Sequence, residues 1–122
     1  MPTGEHIALE LGPRMGELAE VTAVLCYNDL VAIPVMGLLR EAGRQPGRDV
    51  AVIGVDDVVA EQTWPPLSSV RLPISGMGRR AAEIVLSMHG GPEQVALHRG
   101  QIHTLPGTFV ERASSRDVVV NR

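Results

Sequence analysis

At 122 residues, with three aromatic residues, one cysteine and a formal charge of −3, the chain is long enough for one modest domain and too short for two. Arg and Glu are intermixed with no basic face, which excludes a free-standing nucleic-acid binder, and Tyr27, Trp64 and Phe109 are too few for a base-stacking platform. The lone Cys26 excludes an internal disulfide framework, no apolar run approaches the roughly 20 residues of a membrane span, and the N-terminus lacks the basic and apolar regions of an export signal, so a cytoplasmic protein without a membrane partner is expected.

In chain order, Glu5 to Glu20 mixes helix formers with Gly12, Pro13 and Gly16, so any helix there is interrupted near Gly12-Pro13. Thr22-Ala-Val-Leu-Cys-Tyr27 is a short strand leading into a helix over Leu30 to Ala42. Asn28 or Asp29 would cap it and Gly43 would end it in the left-handed conformation. The helix is apolar on more than one face, which predicts burial by two partners, and Pro34 predicts a kink or a late start. Val50-Ala-Val-Ile-Gly-Val-Asp-Asp57 is a near-continuous run of the kind that parallel strands buried on both faces show. Together these segments make a β-α-β unit whose right-handed crossover sets the two strands parallel. Gln62 to Pro66 is extended before its prolines, and Leu67 to Pro73 reads as a short connecting strand. Ser75 is the expected cap of a second helix, with Met77, Ala81, Ile84, Val85 and Met88 on one stripe and Arg79 paired to Glu83 outside it. His89-Gly-Gly-Pro92 would end that helix. Thr104 to Arg112 suggests an irregular strand before a polar tail holding Val118 to Val120.

Two parallel strands end at one edge of a sheet, so Asn28-Asp29 and Asp56-Asp57 face one crevice. Successive strand residues point to opposite faces, which disfavours Asp56 and Asp57 as a catalytic dyad sharing a proton. An ionised carboxylate that accepts two hydroxyls, beside an amide that donates and accepts, suits a polyol or sugar instead, and Asp56 with Asn28 fits that role. Asp29 and Asp57 are read as caps on backbone N–H groups. His6, His89, His98 and His103 lack zinc-motif spacing and read as solvated loop residues, and Cys26 reads as a core residue. No phosphate loop or nucleophile elbow occurs. Nothing therefore calls for a metal, a cofactor or an enzymatic role. The apolar helix and Trp64 mark an association face, or simple core packing.

The ordered segments Ala23–Ala32, Leu39–Gly43, Asp49–Asp57, Pro65–Arg71, Met77–Ala82 and Leu105–Arg112 resemble the C-terminal part of the effector-binding core of LacI/GalR-family transcription regulators. The resemblance implies an α/β, periplasmic-binding-protein-like fold, here an incomplete parallel-sheet lobe, in which two lobes close on a small effector, often a sugar. It implies one partial domain over 1–122, with the helix-turn-helix and most of the first lobe absent, so that DNA is met only through the absent N-terminal domain. By the same resemblance Asn28 and Asp56 contact the effector, while Leu30, Val31, Pro34, Val35, Gln62, Thr63 and Trp64 meet a second subunit of a homodimer. The chain departs from the family pattern at Val55, Leu72 and Pro34. The competing expectations are a sugar-binding protein of a transporter, which shares the architecture, and a fragment that only self-associates.

Overall fold

The structure is a computed structural model and describes residues Glu10–Val119; the expectations for residues 5–9, for His6 and for Val120 lie outside them. Two compact units form, one from the chain up to Arg71 and again from Phe109, the other from Leu72–Thr108.

The first unit carries β1 (Ala23–Leu25), α1 (Asp29–Glu41), β2 (Ala51–Asp56), β3 (Ser68–Arg71) and, after the chain returns, β4 (Thr108–Val110) and a short α4 (Ala113–Arg116). The sheet order is β1-β2-β3-β4. β1 and β3 both pair parallel to β2, with Val24 opposite Val52 and Val55 opposite Val70. The expected β-α-β unit is present, and the short strand expected within Leu67 to Pro73 forms at Ser68–Arg71 and joins the sheet beside β2.

Asn28 starts α1: its backbone is extended and its Oδ1 accepts the Val31 N–H at 2.9 Å, so the helix opens at Asp29. Gly43, at φ 76°, follows its end. The late start expected from Pro34 does not occur. Proline removes only the donor that would reach the Leu30 carbonyl, and that loss, about 3 kcal/mol, is outweighed by burying the face made of Ala32, Val35, Met36 and Leu39, roughly 1.5–3 kcal/mol for each large side chain. These residues meet Val50, Val52, Ala60, Leu67 and Cys26 in one core. Within one chain α1 is covered on one side: Leu30 is 59% exposed and Ile33 is also open. Val35, expected at a subunit interface, is only 4% exposed, because its spacing of three from Ala32 turns it to the sheet.

Two glycines allow close approach. A Cβ at Gly54 would run into Asp29 Oδ1 and come to 3.0 Å from Leu67 Cδ2. A Cβ on Gly47, at φ 85°, would strike the Ala113 carbonyl. The returning segment is then stitched down by serines: Ser114 Oγ accepts the Ser68 N–H at 2.8 Å and donates to the Val52 carbonyl, and Ser68 Oγ accepts the Arg112 N–H at 2.7 Å.

The second unit holds α2 (Ile74–Ser87), a 3-10 turn at Met88–Gly90 and α3 (Pro92–His98). Ser75 is not the cap. Pro73 precedes the helix, which has no side-chain cap bond, and Ser75 already lies inside the first turn because proline's fixed φ suits a helix start. No residue of α2 is buried, so its apolar stripe stays open. Arg79 does not hold Glu83; Arg80 does, at 3.2 Å. The unexpected α3 opens on Pro92, where a missing N–H costs nothing, after Gly91 at φ 105°. His98 is not a solvated loop residue: it is half-buried at the end of α3, with Nε2 2.7 Å from Ser87 Oγ. His89 and His103 are exposed.

Replacing Gly54 by Ala is expected to lower unfolding stability by about 2–3 kcal/mol, read as a fall in the urea midpoint at unchanged slope.

Candidate functional site

β1, β2 and β3 run parallel, so their carboxyl ends lie at one edge and bring the segments after Leu25, Asp56 and Arg71 together there. Asp56 and Arg71 are register partners. Of the four polar residues expected at this edge, three are already engaged by the protein.

Asp29 is buried. Its Oδ1 accepts the Ser69 hydroxyl at 2.6 Å and its Oδ2 accepts the Val58 N–H at 3.0 Å. It therefore does not cap α1 but joins the start of that helix to β3 and to the turn beyond β2. Its place in the first helical turn suits its charge.

Asp57, expected to cap backbone, instead holds two cations. Its side chain is 2% exposed; Oδ2 accepts Arg71 Nε at 2.7 Å, and Oδ1 accepts Nη1 of Arg112, itself 13% exposed, at 2.6 Å. Arg112 Nη1 also donates to the Leu67 carbonyl at 2.8 Å. The hydrogen bond from the Arg112 guanidinium, supported by Arg71, holds the Asp57 carboxyl below the usual carboxylate range against the opposing effect of burial. The Asp57 N–H donates to Ser69 Oγ at 3.1 Å. A dyad with Asp56 is excluded by this engagement; strand alternation is not the reason, since Asp56 and Asp57 sit at φ 101° and 56°, outside extended backbone.

Asn28 is 5% exposed and uses Oδ1 for the helix cap, so its NH2 is the part of the side chain that the cap does not use. Asp56 is half-buried, and among the described residues its carboxylate has no hydrogen-bond or ion-pair partner. A carboxylate acceptor and an amide donor at one sheet edge are groups that can bind the hydroxyls of a polar molecule. Ser69 and Arg112 were not foreseen as parts of this edge. Arg112 lies 55 residues from Asp57, and no local spacing announces such a pair.

A separate open groove of about 370 Å³ lies along the outer side of α1, lined by Leu30, Ile33, Met36, Gln62, Thr63 and Trp64 among others. Trp64 is 82% exposed. Leu30, Gln62, Thr63 and Trp64, expected to meet a second subunit, come together here; Val31, Pro34 and the buried Val35 do not line it. Cys26 sits in the core, and burial pushes its thiol up to about 11. Among the described residues no helix is long and apolar enough to cross a membrane.

The sequence matches the periplasmic binding protein-like domain over residues 3–115. It is 40% identical over 88 residues to the transcriptional regulator GalR of Salmonella typhimurium strain LT2, covering 71% of this chain and 25% of that protein. It is 42% identical over 94 residues to the transcriptional repressor PurR of Vibrio atlanticus, covering 76% of this chain and 27% of that one. The chain thus spans about a quarter of the length of these curated relatives. Among solved structures, a LacI family transcriptional regulator from Arthrobacter sp. FB24 in complex with lactose superposes with a TM-score of 0.76 at 28% identity, covering 93% of this chain and 42% of that one.

Because the folded-state pKa of Asp57 is depressed, its contribution to stability is fully present above the unfolded value of about 4 and is lost as pH falls through the lower folded value. Urea midpoints measured from pH 7 down to pH 2.5 are expected to drop across the acid end, and Asp57→Asn to flatten that drop from a lower plateau.

Proposed function

This chain belongs to the periplasmic binding protein-like domain family, in the form that LacI/GalR-type transcriptional regulators carry, and we propose that it is the ligand-sensing and self-associating portion of such a regulator. The ligand is a small polyhydroxylated molecule, a sugar in the first instance. Asp56 accepts its hydroxyls and the Asn28 amide donates to it. The observation that carries this reading is the Asp56 carboxylate: it stands at the carboxyl edge of a parallel sheet, in a left-handed backbone conformation, with no partner among the described residues. A non-glycine residue held at φ 101° costs stability, and such strain is typical of functional positions. The lactose complex of the Arthrobacter relative supports the ligand class.

In this reading the chain performs no chemical conversion. It changes conformation on binding, and a separate N-terminal domain meets DNA. The location is cytoplasmic. The groove beneath Trp64 seats a second copy of the chain, because an exposed indole beside Leu30 and Ile33 is the kind of aromatic anchor that interfaces bury. A transporter's sugar-binding protein shares the architecture, but the relatives at 40% and 42% identity are transcription regulators, which favours the regulator.

Calorimetric titration with lactose, galactose and ribose tests the site. Asp56→Ala is expected to weaken binding of the accepted sugar roughly ten- to hundredfold. Asn28→Asp keeps an oxygen for the helix cap while removing the NH2 donor, and is expected to weaken binding without a large loss of stability. Equal affinity in the parent and both variants would overturn the assignment. Sedimentation tests the groove: the parent is expected to dimerise and Trp64→Ala to shift it toward monomer, whereas a folded, strictly monomeric parent removes the association surface.

A further inference from the structure

We propose that Asp57 is a positioning residue that aims Asp56 and, through its two arginines, ties the ligand edge to both points where the chain passes between the two units. The proposal rests on the reading of Asp56 as the ligand contact. Its structural basis is a convergence on one carboxylate at the end of β2. Arg71 is the last residue of the first unit before the chain leaves it, and Arg112 follows its return at Phe109 by three residues. Both donate to the one carboxylate, Arg71 to Oδ2 at 2.7 Å and Arg112 to Oδ1 at 2.6 Å.

The same residue fixes the turn that carries Asp56. Two consecutive non-glycine residues at φ 101° and 56° adopt backbone that L side chains disfavour, and such a turn persists only where its surroundings over-determine it. Here the Asp57 N–H is held by Ser69 Oγ at 3.1 Å, the next N–H, of Val58, by Asp29 Oδ2 at 3.0 Å, and the Asp57 carboxylate by the two guanidiniums. A pull on Asp56 therefore moves Asp57, and Asp57 cannot move without Arg71 and Arg112. Most of these bonds are shielded, since Asp57 and Arg112 are nearly buried, so water does not readily replace them. A salt bridge that only stabilised the unit would change unfolding alone; a positioning residue changes binding through Asp56 and the native-state motion of the crossings.

The test has two arms on the full chain. In hydrogen exchange under native conditions, Asp57→Asn is expected to speed the hydrogen-bonded amides of Asp57, Val58 and Arg112 at least tenfold while the β2 amides of Val52 and Ile53 hold their rates; unchanged rates at those three amides overturn the proposal, as does uniform acceleration across β2. Arg71→Gln, which removes one exposed arm of the clasp, supplies the same reading at Asp57 and Val58 if Asp57→Asn does not fold. In calorimetry with lactose, Asp57→Asn is expected to weaken binding at least fivefold in the parent and to add nothing in the Asp56→Ala background, as coupled residues do; full additivity overturns the proposal. If the parent does not bind lactose, the ligand reading fails for that probe and the exchange arm alone decides whether Asp57 holds the crossings.

Discussion

The buried carboxyl of Asp29 is the point on which the first unit depends. It belongs to the first turn of α1, yet both of its hydrogen bonds leave the helix, one to the Ser69 hydroxyl on β3 and one to the Val58 N–H beyond β2. Three segments far apart in the chain are thereby held at one end of the sheet. A hydrogen bond to a charged group is worth about 1.5–3 kcal/mol net, and leaving a buried partner unsatisfied costs about 1–3 kcal/mol or more. The arrangement exists only because Gly54 has no side chain, since a Cβ there would occupy the place of Asp29 Oδ1. The glycine in the middle of an otherwise branched strand, which weakens that strand locally, is thus required by a carboxyl on the neighbouring helix.

From that anchor the polar groups at the carboxyl edge divide their work. Ser69 donates its hydroxyl to Asp29 and accepts the Asp57 N–H with the same oxygen, so the two aspartates are linked through one side chain. Asp57 is neutralised by Arg112 and Arg71, and Asn28 gives its carbonyl oxygen to the helix start. Among the described residues the Asp56 carboxylate is left without a partner, and the buried Asn28 side chain is used through its oxygen alone. Supports fixed in this way are what allow a site to recognise a ligand without a large ordering penalty.

The apolar surface divides in a similar manner. The face of α1 carrying Ala32, Val35, Met36 and Leu39 completes the core, while Leu30 and Ile33 turn outward beside Trp64. An apolar composition all round the helix therefore does not mean burial all round within one chain. α2 goes further, with a periodic stripe and no buried residue. Amphipathic periodicity states which face seeks cover and is silent on what supplies it.

The β-α-β crossover and the end of α1 at Gly43 were legible in the residues because each rests on local signals, a branched run, a capping Asn, a glycine free to adopt positive φ, and the family was legible in the order of its segments; the short helices α3 and α4 were not. The edge at which a site could form was legible for the same reason, since parallel strands must end together. What the sequence could not assign was the role of each polar residue at that edge. Asn28, Asp29, Asp56 and Asp57 are all short polar side chains, and the fates of Asp29 and Asp57 were decided by partners 12 to 55 residues away, Ser69 for the Asp57 N–H and Arg112 for its carboxylate. Pro34 shows the same limit from the other side, because a local rule about one missing N–H was overridden by the packing of a whole helix face. Local chemistry determined the elements and their ends; only the tertiary structure decided which carboxylates were spent inside the protein, because a buried acid is defined by what surrounds it and not by its neighbours in the chain.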